Sequence, residues 1–295
     1  MCKMYEFLVP QEIKNYLTVR EFLRGQGISL TEWRKIKNIG SITINDERQE
    51  KLIFLKAGDI VKVEIPAFEN KNIAPEPYLL KILYEDDELL AVSKPSGILV
   101  HPTVAVQSGT LANYVMNYYR TSGCISNFHP ISRLDKDTSG IVLLGKNARV
   151  QHLLAIQQQK MQKKYLLLTK KPPFAEQYTV CEPIARKVGS IIEREVNREL
   201  GKPAQTIFKI LAKYHKYYLL EAQLLTGRTH QIRVHANFLG IPLLGDDLYG
   251  GDNSEFPRQA LHAYSLEVEN PISKKQIKIR DFLPEDILNF LRKIK

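Results

Sequence analysis

A chain of 295 residues with 44% hydrophobic content is long enough for one large core or two smaller ones, and two domains are expected. Its 42 basic against 32 acidic side chains, net +10, favour a polyanionic partner such as nucleic acid. Cys2, Cys124 and Cys181 are odd in number and free of CxxC spacing, which argues against a disulfide framework or a structural zinc site; no apolar run has the length of a signal peptide or a membrane span, so the expected location is the cytoplasm.

In chain order, "VREFLRGQGIS" and "LTEWRKIKNIG" predict two short amphipathic helices, followed by "SITIND" and "DIVKVEIP" as period-2 strands with a turn at Gly58-Asp59. This helix-helix-hairpin module fills residues 1–66. Its eleven basic and nine acidic side chains nearly cancel, but between Lys14 and Gly40 the cations Lys14, Arg20, Arg24, Arg34, Lys35 and Lys37 meet only Glu21 and Glu32. One helical face could therefore contact phosphates, although on charge alone it could equally be an ordinary solvated surface. The proline-containing stretch "PAFENKNIAPEPY" lacks apolar periodicity and marks a linker, placed at 67–77, before a second domain at 78–295.

Beyond the linker, "LLAVSK", "GIVLLGK", "KYLLLTKK" and "YYLLEAQLL" read as strands, interrupted by helical patterns at "GTLANYVMNYY", "NARVQHLLAIQQQ", "THQIRVHANFL" and "PEDILNFLRKI". The helices are too few and too irregularly spaced for a βαβ alternation, so the expected class is α+β. For the "THQIRVHANFL" helix Thr229 is the expected N-cap and Gly240 the C′ residue. Ile232, Ala236 and Leu239 define its buried face, and an arginine beside that face, Arg233, calls for a carboxylate or phosphate partner.

Two stretches are unusually polar. "ISRLDKDTSG", residues 131–140, is rich in turn-formers and could be no more than a loop entering a strand. In "LLTGRTHQIRVHANFLGIPLLGDDLYG", residues 224–250, His230 and His235 lie five apart on a helix without HExxH spacing, so no metal site is assigned to them or to His262. GxGxxG, GxxxxGK[ST] and GxSxG are absent. By elimination a catalytic role falls on a carboxylate, and Asp135, flanked by Arg133, is the best placed.

"ILYEDDELLAVSKPSGILVHP", "RLDKDTSGIVLLGKN", "KKYLLL", "LTGRTHQIRVH" and "LLGDDLYGG" occur in the order and approximate spacing of the RluA family of pseudouridine synthases, which the chain resembles over about residues 78–283. The 1–66 module resembles, more loosely, an S-four-type RNA-binding domain. Where family members mostly read His-Arg-Leu-Asp, this chain has Ser132 for the histidine, with His129 upstream. The resemblance implies a mixed, mainly antiparallel sheet with flanking helices, and an isomerase that converts uridine in RNA to its C-glycoside without a cofactor. It implies Asp135 as catalytic carboxylate, Tyr165 stacked near the target base, and Arg233 paired with Asp135. Arg133, Arg228, His230 and the module's Arg20, Arg24, Arg34, Lys35 and Lys37 are the expected RNA contacts. Large-subunit ribosomal RNA is the first expected substrate and transfer RNA the second; no membrane partner is expected, and the chain is read as a monomer.

Two other readings stand beside this one. A catalytically silent RNA-binding or assembly protein would keep the fold and lose the chemistry. A hydrolytic glycosidase would use Asp135 and Asp246 as paired carboxylates and release free base.

Overall fold

The computed structural model describes residues 2–13, 17–49, 53–66 and 72–294. Lys14 and residues 67–71 of the expected linker fall outside them. At the N-terminus β1 (Cys2–Leu8) is followed by α1 (Val19–Gly25), α2 (Leu30–Ile39), β2 (Ser41–Ile44), β3 (Glu47–Arg48) and β4 (Ile60–Pro66). Both helices start where the sequence supplies reciprocal caps: Thr18 with Glu21, and Ser29 with Glu32. The four strands are ordered β1-β4-β2-β3. The expected hairpin is thus extended by β1, which pairs antiparallel with β4 from Cys2–Pro66 to Leu8–Ile60. The sequence pattern did not announce β1, because "CKMYEFL" is short and its partner strand lies more than fifty residues further along the chain. Phe22, Leu23, Ile36, Val61 and Val63 pack into a core of this unit's own.

The remaining elements are β5 (Lys81–Glu85), β6 (Leu89–Lys94), α3 (Leu111–Thr121), β7 (His129–Pro130), β8 (Ser139–Gly145), α4 (Ala148–Ile156), β9 (Gln162–Thr169), β10 (Gln177–Val180), β11 (Ile184–Arg186), β12 (Arg194–Val196), β13 (Thr206–Tyr214), β14 (Tyr217–Leu224), α5 (Gln231–Phe238), β15 (Leu261–Glu269), β16 (Gln276–Arg280) and α6 (Glu285–Lys293). A ten-stranded sheet runs β10-β13-β14-β9-β15-β8-β6-β5, with β16 on β15 and β7 on β8. All its pairings are antiparallel except β15 with β8. The α+β, mainly antiparallel architecture is therefore present. β11 and β12 form a separate hairpin.

The sheet is covered on both faces, which is why its central strands read as unbroken apolar runs: every residue of β8 is buried. On one face Leu90, Val142, Leu144 and Leu167 meet Leu111, Val115 and Tyr119 of α3 and Ile232 and Ala236 of α5. On the other, Ala91, Ile141 and Leu143 meet Val150 and Leu154 of α4 and Ile277 and Ile279 of β16.

The N-terminal unit also touches α4. Arg149 donates from Nε to the Gln26 carbonyl at 2.8 Å, and its guanidinium lies 5.4 and 5.0 Å from the Tyr5 and Phe7 ring centroids. Past residues 67–71, Ile73 is buried in the core beneath the ten-stranded sheet and the Ala74 carbonyl accepts from Asn113 Nδ2 at 2.8 Å.

Candidate active site

Asp135 lies in the loop between β7 and β8, and that loop is anchored almost atom by atom. Thr138 N–H donates to the Asp135 carbonyl, closing the turn. The Lys136 carbonyl accepts from Lys94 Nζ at 2.8 Å, the Asp137 carbonyl from Arg258 Nη1 at 2.9 Å, and Thr138 Oγ1 from Gln259 Nε2 at 3.0 Å. Ser139 Oγ is 3.0 Å from His262 Nδ1. Gly140 closes the stretch for a steric reason: its φ is +115°, and a Cβ there would stand 2.3 Å from the Ala263 carbonyl oxygen of β15. Turn chemistry and tertiary anchoring together account for the polar density of "ISRLDKDTSG".

Lys94 is fully buried at the end of β6. Burial pushes its amine down to about 7, while three carbonyl oxygens, of Pro95, Ile98 and Lys136, match the three N–H donors of the charged form.

The loop borders a cavity of about 570 Å³ whose lining includes Arg133, Asp135, Tyr165, Arg228, His230 and Arg233. Tyr165 comes from β9, where burial and then the neighbouring Asp135 raise its phenol well above the usual range. Arg133 and Arg228 are exposed, Arg228 donating to the Pro203 carbonyl at 2.9 Å. His230 precedes α5, with Nε2 3.8 Å from Asp135 Oδ2. It, and not Thr229, is the N-cap, and it caps with no side-chain bond and a left-handed φ of +58°. Tertiary contacts to its ring hold that conformation, so the local capping pattern was a poor guide.

Arg233 is buried, deeper than a core edge, and its bonding is shared. Nε and Nη2 form a bidentate fork on Asp246, both at 2.7 Å, and only Nη1 reaches Asp135, at 3.1 Å. The expected partner is thus the second one. Burial works against the guanidinium's charge, but the Asp246 carboxylate more than restores it, and its proton is held more firmly than usual. Asp246 is itself wholly buried. Committed to Arg233 in this way, it does not line the cavity, and Asp135 is the one carboxylate among the lining residues described.

The three histidines occupy separate settings. His235 bonds Thr206 Oγ1 and the Glu182 carbonyl, His262 meets Ser139, and His230 faces Tyr249. Ser132 turns its Oγ to the Leu143 N–H at 3.2 Å, while His129 sits on β7 opposite Gly145. Sequence reading missed His101, Gln158 and Lys163 in the cavity lining, and Tyr249 beside it. Lys163 continued a strand pattern, and Tyr249 lay in "GDDLYG", where its spacing from Arg233 gave no sign of contact. Arg20, Arg24, Arg34, Lys35 and Lys37 lie outside the cavity, exposed on α1 and α2.

A single carboxylate held by an arginine, with a buried tyrosine and a rim of cations, is the equipment of an enzyme acting on a polyanion. Residues 88–238 match the family model described as RNA pseudouridylate synthase, and the chain belongs to that family, whose members are isomerases acting on RNA. It is 35% identical to the RNA pseudouridine synthase YjbO of Bacillus subtilis, over 94% of this chain and 99% of that protein. It is 34% identical to the ribosomal large subunit pseudouridine synthase D of Haemophilus ducreyi, over 81% and 78%. The solved structure of human RNA pseudouridylate synthase domain containing 4 shares the fold with a TM-score of 0.60 and 24% identity, over 72% of this chain and 92% of that one. No helix among the described residues is long and apolar enough to cross a membrane.

Proposed function

We propose that the chain converts specific uridines of large-subunit ribosomal RNA to pseudouridine, with Asp135 as the catalytic carboxylate. The observation that carries this reading is the solitary Asp135 in a cavity rimmed by Arg133, Arg228 and Lys163. In the reaction the N-glycosidic bond breaks, the uracil turns within the site and C5 bonds to the ribose; the C5 proton is lost and N1 gains one, so product and substrate are isomers. Asp135 acts on the ribose, Tyr165 stacks against the base, and Nη1 of Arg233 donates to the carboxylate and orients it. Arg133, exposed at the rim, fills the space left by the extruded nucleotide. A hydrolytic glycosidase is disfavoured, because its second carboxylate would be Asp246, which is buried under Arg233.

Ribosomal RNA is favoured over transfer RNA by the names of the ribosomal large subunit relatives. An RNA-binding role for residues 1–66 is supported by the exposure of Arg20, Arg24, Arg34, Lys35 and Lys37 on α1 and α2, where they are open to contact with phosphates. The test is to map pseudouridines by carbodiimide-dependent reverse-transcription stops in cells with and without the gene. Ribosomal stops that vanish with the gene, and return with the wild-type gene but not with Asp135→Asn, are expected. Stops lost only from transfer RNA would overturn the substrate, and full restoration by Asp135→Asn would overturn the catalytic role.

A further inference from the structure

His230 lies beside the reactive carboxylate and Tyr249 beside His230, but neither is given a part in the chemistry above. Tyr249 is buried in the one-turn helix Asp247–Tyr249 that follows Asp246. Its hydroxyl oxygen accepts the Arg194 N–H at 2.9 Å and is 2.8 Å from His230 Nδ1. The phenol carries one hydrogen, and among the described residues the acceptor at bonding distance for it is Nδ1. A nitrogen that accepts that hydrogen carries none of its own, so the neutral ring's proton sits on Nε2. Nε2 is the atom 3.8 Å from Asp135 Oδ2, the same oxygen that Arg233 Nη1 holds at 3.1 Å. Beneath this pair the Arg233 guanidinium packs 4.9 Å from the Tyr249 ring centroid, so one tyrosine braces both of the groups that face Asp135.

We infer that Tyr249 fixes His230 in the Nε2–H tautomer as a positioning residue, whose N–H keeps the Asp135 carboxylate turned toward the ribose alongside Arg233. The inference rests on the reading of Asp135 as the catalytic carboxylate. At 3.8 Å the contact is just outside hydrogen-bond range, and a small rotation of the part-exposed carboxylate closes it. The left-handed backbone at His230 is consistent with a residue held for its ring, since an ordinary cap would avoid that strain. The charged and titratable groups facing the imidazole are Asp135 from the loop, Arg233 from α5, Arg194 from β12, and Asp246 and Tyr249 from the "GDDLYG" segment. Burial lowers the imidazole's proton affinity, Arg233 and Arg194 lower it further, and the two aspartates oppose them, with a net shift downward. The ring therefore stays neutral at pH 7 and serves as a fixed donor.

The tautomer is read without turnover, by long-range proton–nitrogen correlation spectra of the full chain labelled with nitrogen-15 histidine, His230 being assigned from the signals that vanish in His230→Gln. The expected result at pH 7 is an unprotonated, accepting Nδ1 and a protonated Nε2. In Tyr249→Phe, where Nδ1 is no longer engaged, the His230 titration midpoint should rise. Single-turnover rates on saturating RNA supply the second readout. His230→Ala should be about tenfold slower, the lower end of what a hydrogen bond to a charged group contributes. His230→Gln places an amide N–H near the Nε2 position and should stay within about threefold of wild type, since Gln and Ala bear the same backbone strain. A proton found on Nδ1, or Ala and Gln behaving alike, overturns the inference. Neither outcome bears on Asp135 itself, which Asp135→Asn tests separately.

Discussion

Removing the Arg233 side chain while keeping its volume, as in Arg233→Met, separates what holds the fold from what drives the reaction. The guanidinium makes two 2.7 Å bonds to Asp246, whose side chain is 0% exposed, and one 3.1 Å bond to Asp135, whose side chain is 26% exposed. Stripping the cation leaves Asp246 as an uncompensated buried charge, which costs about 3–5 kcal/mol. The contact to the partly solvated Asp135 adds about 1 kcal/mol or less. The expected loss of stability is therefore about 4 kcal/mol, and nearly all of it comes through Asp246. It follows that Arg233→Met combined with Asp246→Leu, which replaces both charges by apolar groups, should fold within about 1 kcal/mol of wild type. The same double variant should remain at least tenfold slow, because Asp135 still lacks the Nη1 donor. Urea unfolding followed by circular dichroism gives the stabilities, and tritium release from [5-³H]uridine-labelled RNA gives the rates. Equal instability of single and double variants would refute the assignment of the stability to Asp246. Recovery of the rate by the double variant would refute the action of Arg233 on Asp135.

Asp135→Asn should abolish tritium release while leaving RNA affinity in filter binding within about threefold, because shape is kept and only the reactive charge goes; turnover above about a hundredth of wild type would remove Asp135 from its role. Lys94→Met should destabilise the chain by about 2–4 kcal/mol in urea, since it strips the donors from three carbonyls, and should slow single turnover without weakening RNA binding; an unchanged rate would show that the Asp135 loop does not depend on that anchor. A chain beginning at Asn72, which keeps the buried Ile73, should retain its maximal single-turnover rate but need more RNA for half-saturation, and its log-affinity should fall less steeply with log salt, by about 0.7–0.9 for each phosphate that residues 1–66 neutralise. Equal half-saturation and equal salt slopes for both chains would show that residues 1–66 do not hold RNA.

How much of this was legible in the sequence follows from where each signal was encoded. β6, β8, β9 and β14 carry local apolar runs, and α3, α4 and α6 carry helical spacing, so each was found close to its true limits. β15 was missed although it stands near the middle of the sheet, because "LHAYSLEVE" sets His262 and Ser265 at buried positions and breaks both the run and the alternation. Nδ1 of His262 is met by Ser139, more than 120 residues earlier, and no local pattern carries that. Asp135, singled out by elimination, lines the cavity, and Arg233, singled out from its place beside an apolar helix face, has carboxylate partners. The division of Arg233 between Asp246 and Asp135 was not legible, since it depends on bringing the "GDDLYG" segment back against α5.

The turn-formers of the stretch "ISRLDKDTSG" are engaged well beyond their own turn. Its backbone and hydroxyls are taken up by Lys94, Arg258, Gln259 and His262, which come from the end of β6 and from the segment that enters β15. Arg258 in turn forks onto Asp286 of α6, with bonds of 2.7 and 3.1 Å. Of the charged residues in the stretch, Arg133 and Asp135 line the cavity, while Lys136 and Asp137 do not. In the proposed reaction, a carboxylate acting on the ribose while the base turns beside it gains from a backbone that does not move with it, because geometry prepared before the reaction need not be reorganised during it. The polar anchors are therefore as much a part of the cavity's construction as the residues lining it, and they hold a loop whose large apolar side chains to bury are Ile131 and Leu134.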